Sequence, residues 1–237
     1  MFASLGHVVM KFFMLTWVYT SPHSWRGLPK PEAGPPVLAD GPHVQKVMLC
    51  GSGIVVGYGV ASHELALGGS LARSLAALTG QGIEVATVTG ARLTTREAQA
   101  KIAVSDLADV KAVVLSFGVF EALTFTPART WGRDLARLAD FLLENSAPDV
   151  GVFILGCVPP KMSRFPASYQ RRIQTMTERY NTEIERLVAH REQAHYVHFS
   201  PPIEDPEAID GRQSYRAWAD SMAPDIAEFI LSDSVSE

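Results

Sequence analysis

A three-layer α/β fold built on a parallel sheet is predicted by three features of this sequence. From Gln45 onward, short β-prone runs alternate with longer stretches of helical period. The alternation repeats five times, and strands joined by helices form a parallel sheet covered on both faces, because each right-handed crossover lays its helix against it. The 237 residues are 47% hydrophobic, enough to bury one full core without disulfide or metal.

The strands are expected in "KVMLC", "IEVATVT", "KAVVLSF", "GVFILGC" and "HYVHFS". Helices are expected in "HELALGGSLARSLAAL", with Ser62 as N-cap, in "TTREAQAKIAVSDL" and in "WGRDLARLADFLLENS". Two more follow: the long "SYQRRIQTMTERYNTEIERLVAHREQ", and "SYRAWADSMAPDIAEFILS", interrupted by Pro224.

The chain divides into residues 1–44, an apolar N-terminal helix with a Pro-rich arm, and a domain over 45–232. The run "HVVMKFFMLTWVYT", His7 to Thr20, is strongly apolar but broken by Lys11, and falls short of the ~20 residues that span a bilayer. Residues 7–20 are therefore expected to form a helix packed on the domain or resting on a membrane surface. No small-x-small cleavage site follows, and the expected location is cytoplasmic, with membrane association through this segment. A net charge of −4 with interspersed signs offers no broad basic surface, which argues against nucleic acid as a partner. Cys50 and Cys157, each at the end of a strand, are expected to be buried packing residues, and two cysteines make no disulfide framework. No cofactor or metal is expected.

In parallel sheets ligands bind beyond the carboxyl ends of the strands, so the candidate site lies in the loops after them. The first, "GSGIVVGYGV", holds Gly51, Gly53 and Gly57. A dinucleotide could lie on such glycines at a helix start, but "YGVASHE" intervenes before the helix and the second strand ends in "TGAR", without the acidic residue that holds a ribose. Arg92 would suit a 2'-phosphate.

The span Lys46 to Ala219 resembles the SGNH hydrolases, also called the GDSL esterases and lipases. That resemblance implies a flavodoxin-like five-stranded sheet and serine-esterase chemistry. In the family the first strand ends in Gly-Asp-Ser, the Ser being the nucleophile, with another Gly shortly after. Gly51 and Gly57 match, but Ser52 stands at the Asp position and Gly53 at the nucleophile position. Gly90 in "VTGAR" matches the glycine whose N–H helps form the oxyanion hole. The family's Gly-x-Asn-Asp is here "GVFEA", with Phe120 in place of the Asn donor and Glu121 in place of the Asp. Its Asp-x-x-His is here "DGRQ", keeping Asp210 but placing Gln213 where the base belongs. The following "SYRAWA" resembles the Tyr-x-x-Trp-Ala helix of many members and supports the register.

Acyl transfer needs a nucleophile, a base and oxyanion donors. Gly53 has no side chain to attack with, and Gln213 cannot shuttle a proton near neutral pH. The expectation is a pseudo-hydrolase that binds an acyl or ester-like ligand, or a protein partner, along Ser52, Gly53, Gly90, Phe120 and Glu121. The alternative is an active esterase or acyltransferase with Ser52 as a displaced nucleophile, served by His63 or His198. Phe117, Phe120 and Phe125 could line an apolar pocket, though core packing is the commoner use of such residues. Glu121 is expected more often at the solvent than in the cleft.

Overall fold

The computed structural model describes residues 12, 16, 20, 27–159, 167–199 and 211–233, with residues 211–213 and 233 described by backbone alone. Six strands form one sheet: β1 Val37–Ala39, β2 Gln45–Gly51, β3 Ile83–Thr89, β4 Val110–Ser116, β5 Gly151–Leu155 and β6 Ala194–Val197. Their spatial order is β1-β3-β2-β4-β5-β6. The five expected strands, β2 to β6, pair in parallel in the flavodoxin-like order. The sixth is an addition from the Pro-rich arm: β1 pairs antiparallel with β3 through Val37↔Val85, Leu38↔Glu84 and Ala39↔Ile83.

The central strands β2, β4 and β5 are buried on both faces, as parallel strands under two helical layers must be. Met48, Cys50, Val113, Leu115, Val152 and Ile154 point into one apolar cluster, and their neighbours Val47, Leu49, Ala112, Val114, Phe153 and Leu155 into the other. Helices α1 (Leu67–Thr79) and α6 (Gly211–Asp233) cover the second cluster. Helices α2 (Thr95–Ala98), α3 (Val119–Leu123), α4 (Ala128–Asn145) and α5 (Ala167–Val188) cover the first. Helix α4 buries Trp131, Leu135, Leu138 and Leu142, the 3.6-residue stripe that makes an amphipathic segment pack.

Three local expectations are corrected. Helix α1 begins at Leu67 with Ala66 as N-cap, not at Ser62, because residues 62–66 fold back over its first turn. The His63 carbonyl accepts the N–H groups of Ala66 (3.2 Å) and Gly69 (3.0 Å), and a Cβ on Gly69 would lie 2.2 Å from the Glu64 oxygen. The expected helix in "TTREAQAKIAVSDL" shrinks to α2 and two 3-10 turns, since Ile102 takes an extended conformation (φ −98°, ψ 118°) that ends helical pairing. Pro224 does not interrupt α6, which runs through it while the ring sits exposed.

Phe12, Thr16 and Thr20 are helical and exposed, and the hydroxyls of Thr16 and Thr20 donate to the carbonyls four residues earlier. The rest of the 7–20 segment lies outside the described residues. No helix among the described residues is long and apolar enough to cross a membrane.

Candidate functional site

The order of the sheet reverses at β2, which lies between β3 and β4, so the loops after these strands meet at the switch point where α/β ligands bind. Gly51 ends β2 so close to β4 that a Cβ would stand 2.1 Å from the Ser116 oxygen, which excludes any side chain. The Ser52 N–H donates to that oxygen at 3.0 Å, and Thr89 Oγ1 donates to the Gly51 carbonyl at 2.9 Å. The three strand ends are thereby locked together.

Beyond them the chain enters a 3-10 turn, Gly53–Val56, with Gly53 at φ +62° and Gly57 at φ +79°. A Cβ built on Gly53 meets no described residue within 4 Å. The position that the resemblance assigns to the nucleophile is thus clear of the described residues. Ser52 is different: it is 3% exposed in extended backbone, and its hydroxyl makes no hydrogen bond to any described residue. His63 and His198 are not bonded to it; burial lowers the His63 pKa from its ordinary value, and His198 packs its ring on Tyr196 at 4.5 Å.

The loop after β3 starts at Gly90, whose carbonyl accepts the Leu93 N–H at 3.0 Å. It then reaches α2, where Thr94 and Glu97 form a capping box, a Thr-x-x-Glu signal present in the sequence. The loop after β4 turns at Gly118 (φ +104°), where a Cβ would lie 2.4 Å from Cys157 Sγ. Phe120 follows in α3, half-buried.

Glu121 departs from the expectation of a solvent-facing residue. It is 3% exposed and fully engaged: Oε1 accepts the N–H and the hydroxyl of Thr95, both at 2.8 Å, and Oε2 accepts the Gly118 N–H at 3.1 Å. Its carboxylate therefore staples the loop after β3 to the loop after β4 and caps α3. Thr95 escaped sequence reasoning, because the partner of a buried carboxylate 26 residues away is set by the fold. Phe117 and Phe125 pack into the core, and Phe125 also borders an open groove beside α5.

Cys157 closes the loop after β5. Its thiol donates to the Phe117 carbonyl at 3.1 Å, and its N–H and carbonyl pair with the Asn181 side chain at 2.7 and 3.1 Å. Both cysteines are buried packing residues, as expected; burial pushes the Cys50 thiol up to about 12 and the Cys157 thiol up as well, assisted there by Glu121. On the opposite face Tyr215 of α6 donates its hydroxyl to the Tyr58 carbonyl at 2.9 Å, holding the start of α6 against the loop after β2. Gln213 lies in the first turn of that helix, its side chain outside the described residues, as is Asp210. Among the described residues no group of three His, Cys, Asp or Glu could hold a metal ion.

The family model described as GDSL-like lipase/acylhydrolase matches residues 49–225. The chain belongs to this family. Comparison with curated protein sequences finds none that matches. Among solved structures, TesA is 16% identical with a TM-score of 0.59, over 78% of this chain and 99% of its own. The psychrotrophic esterase EstA from Pseudoalteromonas sp. is 12% identical, TM-score 0.58, over 78% and 98%. A family two carbohydrate esterase from Clostridium thermocellum is 12% identical, TM-score 0.57; 80% of this chain covers 65% of that one, so the chain spans about two thirds of its length. At these identities the likeness is one of fold.

Proposed function

We propose that this GDSL-family chain is a pseudo-hydrolase, whose cleft at the switch point binds an acyl or ester-like small molecule, or a protein partner, without turning it over. The observation that carries the reading is Gly53: at the nucleophile position the backbone takes a left-handed turn, no described residue lies ahead of it within 4 Å of a Cβ, and there is no side chain. Two further positions support it. Phe120 offers no hydrogen bond where the family's Asn would, and losing one such donor typically costs about 100- to 1,000-fold in turnover. Gln213 cannot take up a proton from a hydroxyl and return it to a leaving group. Loss of nucleophile and base together leaves only modest catalysis over water, from binding and the remaining donors.

The reading that keeps an active esterase or acyltransferase relies on Ser52. A hydroxyl needs a base within hydrogen-bond reach, and neither His63 nor His198 bonds it. A dinucleotide finds little support in a glycine loop that runs into a 3-10 turn, with α1 beginning only at Leu67.

Hydrolysis of short and medium acyl p-nitrophenyl esters by the purified protein, beside Ser52→Ala, tests the proposal. The expected result is a rate no faster than buffer for both. Turnover by the wild type that disappears in Ser52→Ala would replace the proposal with a relocated nucleophile.

A further inference from the structure

A second feature lies outside the cleft. Helix α5 touches α4 where a Cβ on Gly132 would meet the Glu183 side chain, and Tyr180 stacks on Trp131 at 4.4 Å. Gly132 is in the second turn of α4 whereas Glu183 is near the end of α5, so the first half of α5 extends past the start of α4, beyond the carboxyl edge of the sheet. An open groove runs along this overhang, lined by one face of α5 and by the Phe125–Arg129 turn.

Among the described residues, five arginines line that groove, Arg129, Arg171, Arg172, Arg179 and Arg186, against the single carboxylate of Glu183. Glu183 pairs with Arg186 at 2.7 Å, and Arg172 lies over the Phe125 ring at 5.6 Å. Arg129, Arg171 and Arg179 are exposed and make no ion pair among the described residues. Crowding unpaired cations on one face costs repulsion, and it happens here on a chain whose net charge is −4, so the remaining surface is more acidic still. Both helices add to the field, since α4 and α5 begin at this groove and neither has an acidic residue in its first turn.

We infer that the groove is a docking surface for an extended acidic segment of a partner protein, its carboxylates held by the α5 arginines. The observations choose this occupant. Guanidinium forks match carboxylates bidentately, and among the described residues the lining cations are all arginine. A flat anionic membrane meets the rim of a groove rather than its wall. A long nucleic acid would run on to the acidic surface around it. From Arg171 to Arg186 the helix rises about 22 Å, the span of about seven extended residues. The proposal stands apart from the state of the cleft.

The test is fluorescence anisotropy of labelled octaglutamate with the full chain at low and physiological salt. Triglutamate, oligouridylate and phosphatidylserine vesicles are run alongside. Arg171→Glu/Arg179→Glu is compared with Lys30→Glu/Lys101→Glu, which changes net charge equally at exposed sites elsewhere; a thermal melt of each shows that it folds. Octaglutamate is expected to bind the wild type, more tightly than triglutamate and less tightly as salt rises. The arginine variant is expected to lose about tenfold or more, with little loss in the lysine variant. Failure of octaglutamate to bind at low salt, equal loss in the two variants, or tighter binding of RNA or vesicles than of peptide would each overturn the inference.

Discussion

At Gly118 the backbone takes φ +104°, and a Cβ would press on Cys157 Sγ at 2.4 Å, Tyr180 at 3.1 Å and Trp131 at 3.3 Å. Those neighbours are held from behind, Cys157 by Asn181 and Tyr180 by its 2.6 Å bond to the Thr126 carbonyl, so they cannot give way. Gly118→Ala is therefore expected to destabilise by about 2–4 kcal/mol, from overpacking added to a strained φ, read as a lower urea midpoint at unchanged slope. Glu121 supplies a second residue-scale prediction. In Glu121→Gln the carbonyl oxygen can keep both Thr95 bonds, but the amide NH2 then faces the Gly118 N–H, donor against donor. The expected cost is about 1–3 kcal/mol in the same denaturation experiment, and an unchanged midpoint would contradict the staple.

At the scale of elements, Pro224 sits exposed inside α6, where its ring removes one N–H from the helical ladder. Pro224→Ala restores that donor without removing buried surface, so a rise in melting temperature is expected, equivalent to about 1–3 kcal/mol. The same helix shows what the sequence made legible. Its apolar period and the strand runs are local signals, and β3 is the stretch "IEVATVT" residue for residue. The signals that failed are tertiary ones. Strand β1 has three residues in a Pro-rich arm and exists because the edge of β3 is there to pair with it. The start of α1 depends on the fold-back of residues 62–66, and Pro224 is tolerated because α6 is pinned along α1, as in the 2.6 Å bond from Ser74 to Asp220. In the site, the identities at Ser52, Gly53 and Phe120 were readable against the family pattern. The clearance of Gly53 from the described residues and the enclosure of Glu121 were not, since both depend on loops that meet only in the folded chain.

For the whole molecule, buried titratable groups set a pH window of stability. Cys50 and Cys157 keep their protons in the fold, whereas the unfolded chain loses them near its ordinary thiol value of 9.0. Stability is therefore expected to fall as pH rises above about 9, because the unfolded state then binds fewer protons than the native one. His63 and His195 are held below their ordinary value by burial, so the unfolded state takes up protons first as pH falls below about 6.5. Urea midpoints measured across pH should be highest between these limits; a midpoint that keeps rising above pH 9 would contradict the placement of the thiols.

The cleft gives the most direct test of the account. A fluorophosphonate phosphonylates the activated serine of a serine hydrolase, the Oγ–P bond forming as fluoride leaves, and intact mass reads the adduct without any assumption about substrate. The wild type is expected to gain no adduct, and Gly53→Ser/Gln213→His to gain one, because no described residue would meet a side chain at position 53. A stoichiometric adduct on the wild-type chain, lost in Ser52→Ala, would contradict the claim that this cleft has no working nucleophile.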